Sequence, residues 1–326
     1  MLDYPIHDHR AWLGSDLRPE DWKVVVPDEA VDEIRELTAH IQRNPLPTLL
    51  RTPADFPIRA TEQVMKHARS LLDAGCGFTL LSALPVDDHS TEHIVAVFWI
   101  MGQLIGRPVA QKFDGTMIYE VTDTGQEYSY GVRGSHTNVE LNFHNDNAFG
   151  IALPRYVGLL CQRPAMSGGI SRLCSIYTLH NRLLDNSPDL LARLYQPIHY
   201  DRQAEHPPGD SKSVRLAFFD WNGAELKCRA IVSLIRKGFE IKGEQPDGAL
   251  TEALDAVERT LADPALWVQM ELGPGDLQYL NNTTVTHYRS TYQDHPDPKH
   301  RRHLYRTWHR DTGERTYNGG FSLTRV

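Results

Sequence analysis

The stretch from Val139 to Phe149, VELNFHNDNAF, carries a histidine and an aspartate two residues apart. Val139, Leu141 and Phe143 alternate with Glu140, Asn142, His144 and Asp146, a period of two that predicts a strand with one apolar face. His144 and Asp146 then share the polar face, about 6 to 7 Å apart at the backbone, near enough for an imidazole nitrogen and a carboxylate oxygen to meet one metal ion. On a helix the same pair would point about 200° apart. A His-x-Asp triplet on a polar face also serves as plain solvated surface, so the metal reading needs a third ligand. Among 16 histidines, His287 has the matching setting, just past a strand and its polar end in GPGDLQYLNNTTVTHYRS. His144, Asp146 and His287 would form the two-histidine, one-carboxylate set that holds non-haem Fe(II) and leaves three positions open. Zn(II) is the rival metal, because its catalytic sites also use three protein ligands.

Beyond His287 lies RRHLYRTWHR. Read as a strand, it puts Arg302, Leu304, Arg306, Trp308 and Arg310 on one face, with Arg302 and Arg306 about 13 Å apart at the backbone. Two guanidinium groups projecting into one barrel mouth are costly unless anions meet them. A dicarboxylate co-substrate would supply one anion, oriented by a bidentate fork. Taken alone, the segment also reads as a basic outer face or a nucleic-acid patch.

The elements that must position these side chains follow from pattern. The first 20 or so residues read as a surface arm. Pro27 and Asp28 open a helix through about Gln42, residues 61–74 form a second that ends at Gly75 and Gly77, and Ser90 caps a third running to about Gly102. Phe78 to Leu84 is a buried strand. Tyr119 to Ser135, polar and bearing Tyr119, Tyr128 and Tyr130, reads either as a substrate lid or as an exposed connection.

Strands are expected at Tyr156–Gln162, Gly169–Ser175, Val214–Trp221, Glu225–Ile231, Trp267–Leu272, Asp276–Asn282 and Arg302–His309. Asn222-Gly223 signals a tight hairpin with positive φ at both positions. Helical insertions fall near Tyr177–Leu184, Pro188–Tyr195 and Leu250–Ala262, and Gln203 to Ser213 is a candidate mobile insertion. Many short strands, with helices concentrated in the first third, predict an α+β, mainly β architecture: an antiparallel barrel or jelly roll under a helical layer.

Composition is that of a soluble globular protein: 40% hydrophobic, 23% charged, 326 residues. No apolar run is long enough for a membrane span, and MLDYPIHDHRAWLG lacks the features of a secretory signal, so a cytoplasmic setting is expected. Cys76, Cys161, Cys174 and Cys228, without a CxxC pair, suit buried thiols rather than disulfides. A net charge of -8 argues against nucleic acid as a partner.

His144-x-Asp146, then PAMSGGIS ending at Ser171, then His287 followed by Arg302-x-x-x-Arg306, resembles the taurine dioxygenase and clavaminate synthase-like group of Fe(II)/2-oxoglutarate oxygenases, over about residues 140–310. The resemblance implies a double-stranded β-helix, a cupin-like jelly roll, with flanking helices. It implies one catalytic domain over residues 1–326, with an arm and helical layer in residues 1–75 and a jelly-roll core in residues 76–326. It implies iron held by His144, Asp146 and His287, and the distal carboxylate of 2-oxoglutarate held by Arg302 and the Ser171 hydroxyl. Arg306 falls near co-substrate or substrate. Ser171 stands where threonine is more usual, and Ile170 where an acid is common.

The implied activity consumes O2 and 2-oxoglutarate, releases succinate and CO2, and hydroxylates an unactivated C–H bond of a small carboxylate-bearing or amino-acid-like metabolite. Desaturation or cyclisation would need only a differently placed substrate carbon. Halogenation is disfavoured, since Asp146 fills the place where related halogenases bind chloride. A homo-oligomer is suggested by resemblance alone. The rival readings are a metal-dependent hydrolase or isomerase on a cupin-like barrel, which has no use for Arg302 and Ser171, and a binding barrel without turnover.

Overall fold

The computed structural model describes residues 1–82, 84–127 and 132–317. Two sheets face each other across the core. The larger, of seven strands, runs Lys23–Val24, Phe78–Ser82, Asp276–Asn281, Tyr156–Arg163, His303–Arg310, Arg107–Val109, with Ile118–Val121 also pairing with His303–Arg310. The smaller, of four strands, runs Trp267–Met270, Ser171–Ser175, Val285–Arg289, Leu141–His144. The described strands divide into separate sheets rather than closing one barrel.

Alternation sets which side chains enter the interior. On the large sheet Val157, Cys161, Leu304 and Trp308 face inward, into the same core as Leu173, Val268 and Met270 of the small sheet. The Gln278 amide donates across this gap to the Met270 sulfur at 3.0 Å. The outer face of the large sheet, with Leu81, Leu160, Leu277 and Tyr279, is covered by helices Asp28–Arg43, Arg59–Ala74 and Thr91–Ile105. The third of these is buried on almost every side, as a helix pinned between a sheet and two neighbours must be.

Several expectations are corrected. The N-terminal residues are no surface arm: Leu2, Ile6 and Trp12 are buried, and the Trp12 indole donates to the Cys76 carbonyl at 2.8 Å. Helices are not concentrated early, since Ile176–Asn186, Pro188–Leu194, Val232–Lys242 and Gly248–Leu261 all lie in the second half. Val232–Lys242, with a weaker apolar stripe, directly follows the expected strand Glu225–Ile231 and carries no expectation of its own.

The predicted strand Val214–Trp221 is two strands, Ser213–Leu216 and Phe219–Trp221, in different hairpins. The Asn222-Gly223 hairpin forms, but only Gly223 has positive φ. Asn222 instead accepts from Ala224 and Glu225 through its side chain, which makes a longer loop.

Candidate metal and co-substrate site

His144 is the last residue of its strand and pairs directly opposite His287, which lies inside Val285–Arg289 rather than past a strand end. Asp146 is not on the strand at all; the chain has turned by then. Its carboxylate reaches the histidines because two buried asparagines clamp the turn. Asn282 accepts from the Asp146 amide at 2.8 Å and donates back to its carbonyl at 3.0 Å. Asn145 donates to the Asn282 and Val285 carbonyls at 2.7 and 2.9 Å.

The three ligand atoms lie within 4.8 Å of one another, and both histidine Nε2 atoms stand 3.9 Å from Asp146 Oδ1. The Asn142 carbonyl, 2.8 Å from His144 Nδ1, accepts its proton and leaves Nε2 as a lone pair. Burial keeps both imidazoles neutral, lowering His144 and pushing His287 down to about 3 with help from the neighbouring ring. Burial would raise Asp146, but the Arg306 guanidinium, with a hydrogen bond from the Trp308 indole, outweighs it and holds the carboxyl ionised. Two neutral imidazoles and one carboxylate on the interior side form a donor set that fits a divalent iron.

Asp146 is also held from behind. Arg306 donates to Oδ1 at 3.1 Å and the Trp308 indole to Oδ2 at 2.8 Å. Arg306 is fixed in turn by Gln111 at 2.9 Å and lies over the Tyr119 ring. His144, Asp146, Arg306 and Trp308 line a cavity of about 250 Å³ together with Arg133 and Asn142. Tyr119 belongs to strand Ile118–Val121 and not to a lid; Tyr128 and Tyr130 lie outside the described residues. The 203–213 insertion is anchored at its start, where buried Glu205 pairs with Arg133 and accepts from the Phe113 amide at 2.9 Å.

Arg302 is buried and Arg301 is not, although the strand itself begins one residue later, at His303. Arg302 borders a second hollow, of about 260 Å³, that includes Gly168 and Gly169. Both glycines have positive φ, and a Cβ at Gly169 would stand 3.2 Å from Arg302 Nε, so the Gly-Gly turn is what lets this arginine lie flat. Ser171 sits opposite Arg289, two residues along the strand from His287. The structure thus brings His144, Asp146, His287 and Arg306 together, and places Ser171 on the strand beside His287.

A model of the taurine catabolism dioxygenase TauD, TfdA family matches residues 33–308. The chain belongs to that family. As one of these dioxygenases it depends on Fe(II) and 2-oxoglutarate. It is similar to FR-33289 synthase of Streptomyces rubellomurinus, 27% identical over 94% of this chain and 91% of that one. Its fold is similar to that of asparagine oxygenase, solved with Fe(II), 3-hydroxyasparagine and succinate, with a TM-score of 0.67, 20% identity and coverage of 88% and 93%. It is equally similar to the non-heme iron oxygenase OrfP, solved with Fe and alpha-ketoglutaric acid, with a TM-score of 0.66, 16% identity and coverage of 89% and 94%.

Sequence reasoning passed over three residues near these side chains. Gln111 and Asn282 carry no motif, since an amide reveals its role only through its partners. Arg289 did carry a signal: it stands two residues after His287 and so shares its face.

Proposed function

We propose that this dioxygenase hydroxylates an unactivated C–H bond of a small, carboxylate-bearing or amino-acid-like metabolite. The observation that carries the reading is the convergence of His144, Asp146 and His287 beside a cavity that presents two arginines, Arg133 and Arg306. In this reading the three side chains hold the iron, while Arg302 and Ser171 receive the distal carboxylate of 2-oxoglutarate. Bound there, iron and 2-oxoglutarate supply O2 activation, with the keto acid leaving as succinate and CO2.

The chain's own residues do the positioning. Asn142 sets the His144 tautomer, Asn282 fixes the backbone of Asp146, and Arg306 with Trp308 aims its carboxylate. Arg133, paired with Glu205, and Arg306, paired with Asp146, line the cavity in which the substrate would be oriented toward the metal. The hydroxylated amino acid named with asparagine oxygenase, whose fold this chain shares, supports a substrate of that kind. Nothing in the comparisons favours the hydrolase or isomerase reading.

Anaerobic protein mixed with Fe(II) and 2-oxoglutarate is expected to show a weak visible charge-transfer band. A panel of amino acids and small carboxylic acids is expected to contain a compound that raises O2-dependent succinate formation above the uncoupled rate. Oxygen-indifferent hydrolysis of a panel member, without succinate, overturns the reading.

A further inference from the structure

Arg289 is buried, faces the interior opposite Ser171, and has no role in the mechanism above. Its Nη2 donates to the Thr137 carbonyl at 2.9 Å and to the Val139 carbonyl. Its Nε and Nη1 are buried without an acceptor, and so is Nη1 of Arg302. The two guanidinium groups share one ring: their central carbons lie 4.9 and 5.0 Å from the centroid of Tyr292. Neither forms an ion pair with a carboxylate among the described residues. Asp294, the acid beside them in sequence, accepts from the Arg302 backbone amide at 2.6 Å instead.

One buried cation with idle N–H groups is unfavourable, and two side by side repel each other as well. The arrangement is stable only with an anion that has several acceptor sites, and a carboxylate offers about four. Arg289 is one strand step, about 6 to 7 Å, from the metal ligand His287. A diacid whose keto-acid end sits at the metal therefore brings its other carboxylate to this pair.

We propose that Arg289 is a second anchor for the distal carboxylate of 2-oxoglutarate, shared with Arg302. Through the carbonyls of Thr137 and Val139 it also ties the bound co-substrate to the segment that leads into the His144 strand. The proposal rests on the reading of Arg302 and Ser171 as the co-substrate end.

The test is calorimetric titration of Mn(II)-loaded, full-length protein with 2-oxoglutarate and with 2-oxobutyrate, which lacks the distal carboxylate. Arg289→Met is expected to weaken 2-oxoglutarate binding by about 10- to 100-fold and to leave 2-oxobutyrate binding unchanged. Arg289→Lys, which keeps the charge but not the fork, is expected to show a smaller loss with the same selectivity, and it decides the matter if the methionine variant does not fold. Equal losses for both keto acids overturn the proposal, because a structural arginine would act that way. Wild-type binding in Arg289→Met alongside weakened binding in Arg302→Met also overturns it and leaves the co-substrate reading standing. Wild-type binding in both variants removes the co-substrate reading and this proposal together.

Discussion

Asp146 is met by Arg306, Trp308 and two histidines, whereas Arg289, two residues along the strand from His287, and Arg302 meet no carboxylate among the described residues. Both clusters are buried in the same interior, so burial does not separate them. What separates them is compensation. The metal cluster is electrostatically complete within the protein, which lets it hold its shape before any ion arrives. The arginine cluster has an excess of positive charge with no carboxylate beside it among the described residues, which the proposed co-substrate would answer.

The contrast can be broken at the metal side first. Asp146→Ala is expected to reduce iron content and succinate formation to background, measured by metal analysis and by O2-dependent turnover. Retained iron would show that the carboxylate is not a ligand.

The next test sets one arginine against the other. Arg306→Met strips Asp146 of its buried partner and is expected to cost about 3 to 5 kcal/mol in denaturant unfolding of the metal-free protein. Arg302→Met removes an uncompensated charge and is expected to cost no stability, while raising the KM for 2-oxoglutarate by about 10- to 100-fold. Equal destabilisation by the two variants would erase the distinction between the clusters.

A milder probe is Gly169→Ala. Its positive φ and the 3.2 Å approach of Arg302 Nε mean the arginine must shift by a few tenths of an ångström. A several-fold weaker affinity for 2-oxoglutarate with unchanged iron content is expected, and unchanged affinity would detach the turn from the arginine.

The last test is one of pH. Burial pushes His180 and His309 down to about 4, so between about pH 6.5 and pH 4 the unfolded chain takes up protons that the folded chain refuses. Stability should therefore fall as pH falls through that window and stay level above it, as read from Tm. A flat profile would mean that these histidines relax on protonation.

Much of the site was legible because strand alternation is a local property. It favoured Arg302 over Arg301, and Arg302 is the buried one, while the His-x-Asp spacing picked out two members of the cluster that could hold a metal. The same rule misplaced Asp146 on a strand and His287 beyond one, since a strand's end depends on where its partner strand stops. The burial of Leu2, Ile6 and Trp12 was equally hidden, because short apolar residues among polar ones reveal nothing until a surface is there to receive them.

By itself the sequence singled out the side chains proposed to carry the chemistry, two imidazoles, one carboxylate and a set of arginines, because residue type and period are written in it directly. Only the tertiary structure decided which charges are answered. Arg306 finds Asp146 and Glu205 finds Arg133 across 160 and 72 residues of chain, while Arg289 and Arg302 keep idle N–H groups. The absence of a partner is a property of the space around a group, and no local pattern contains it.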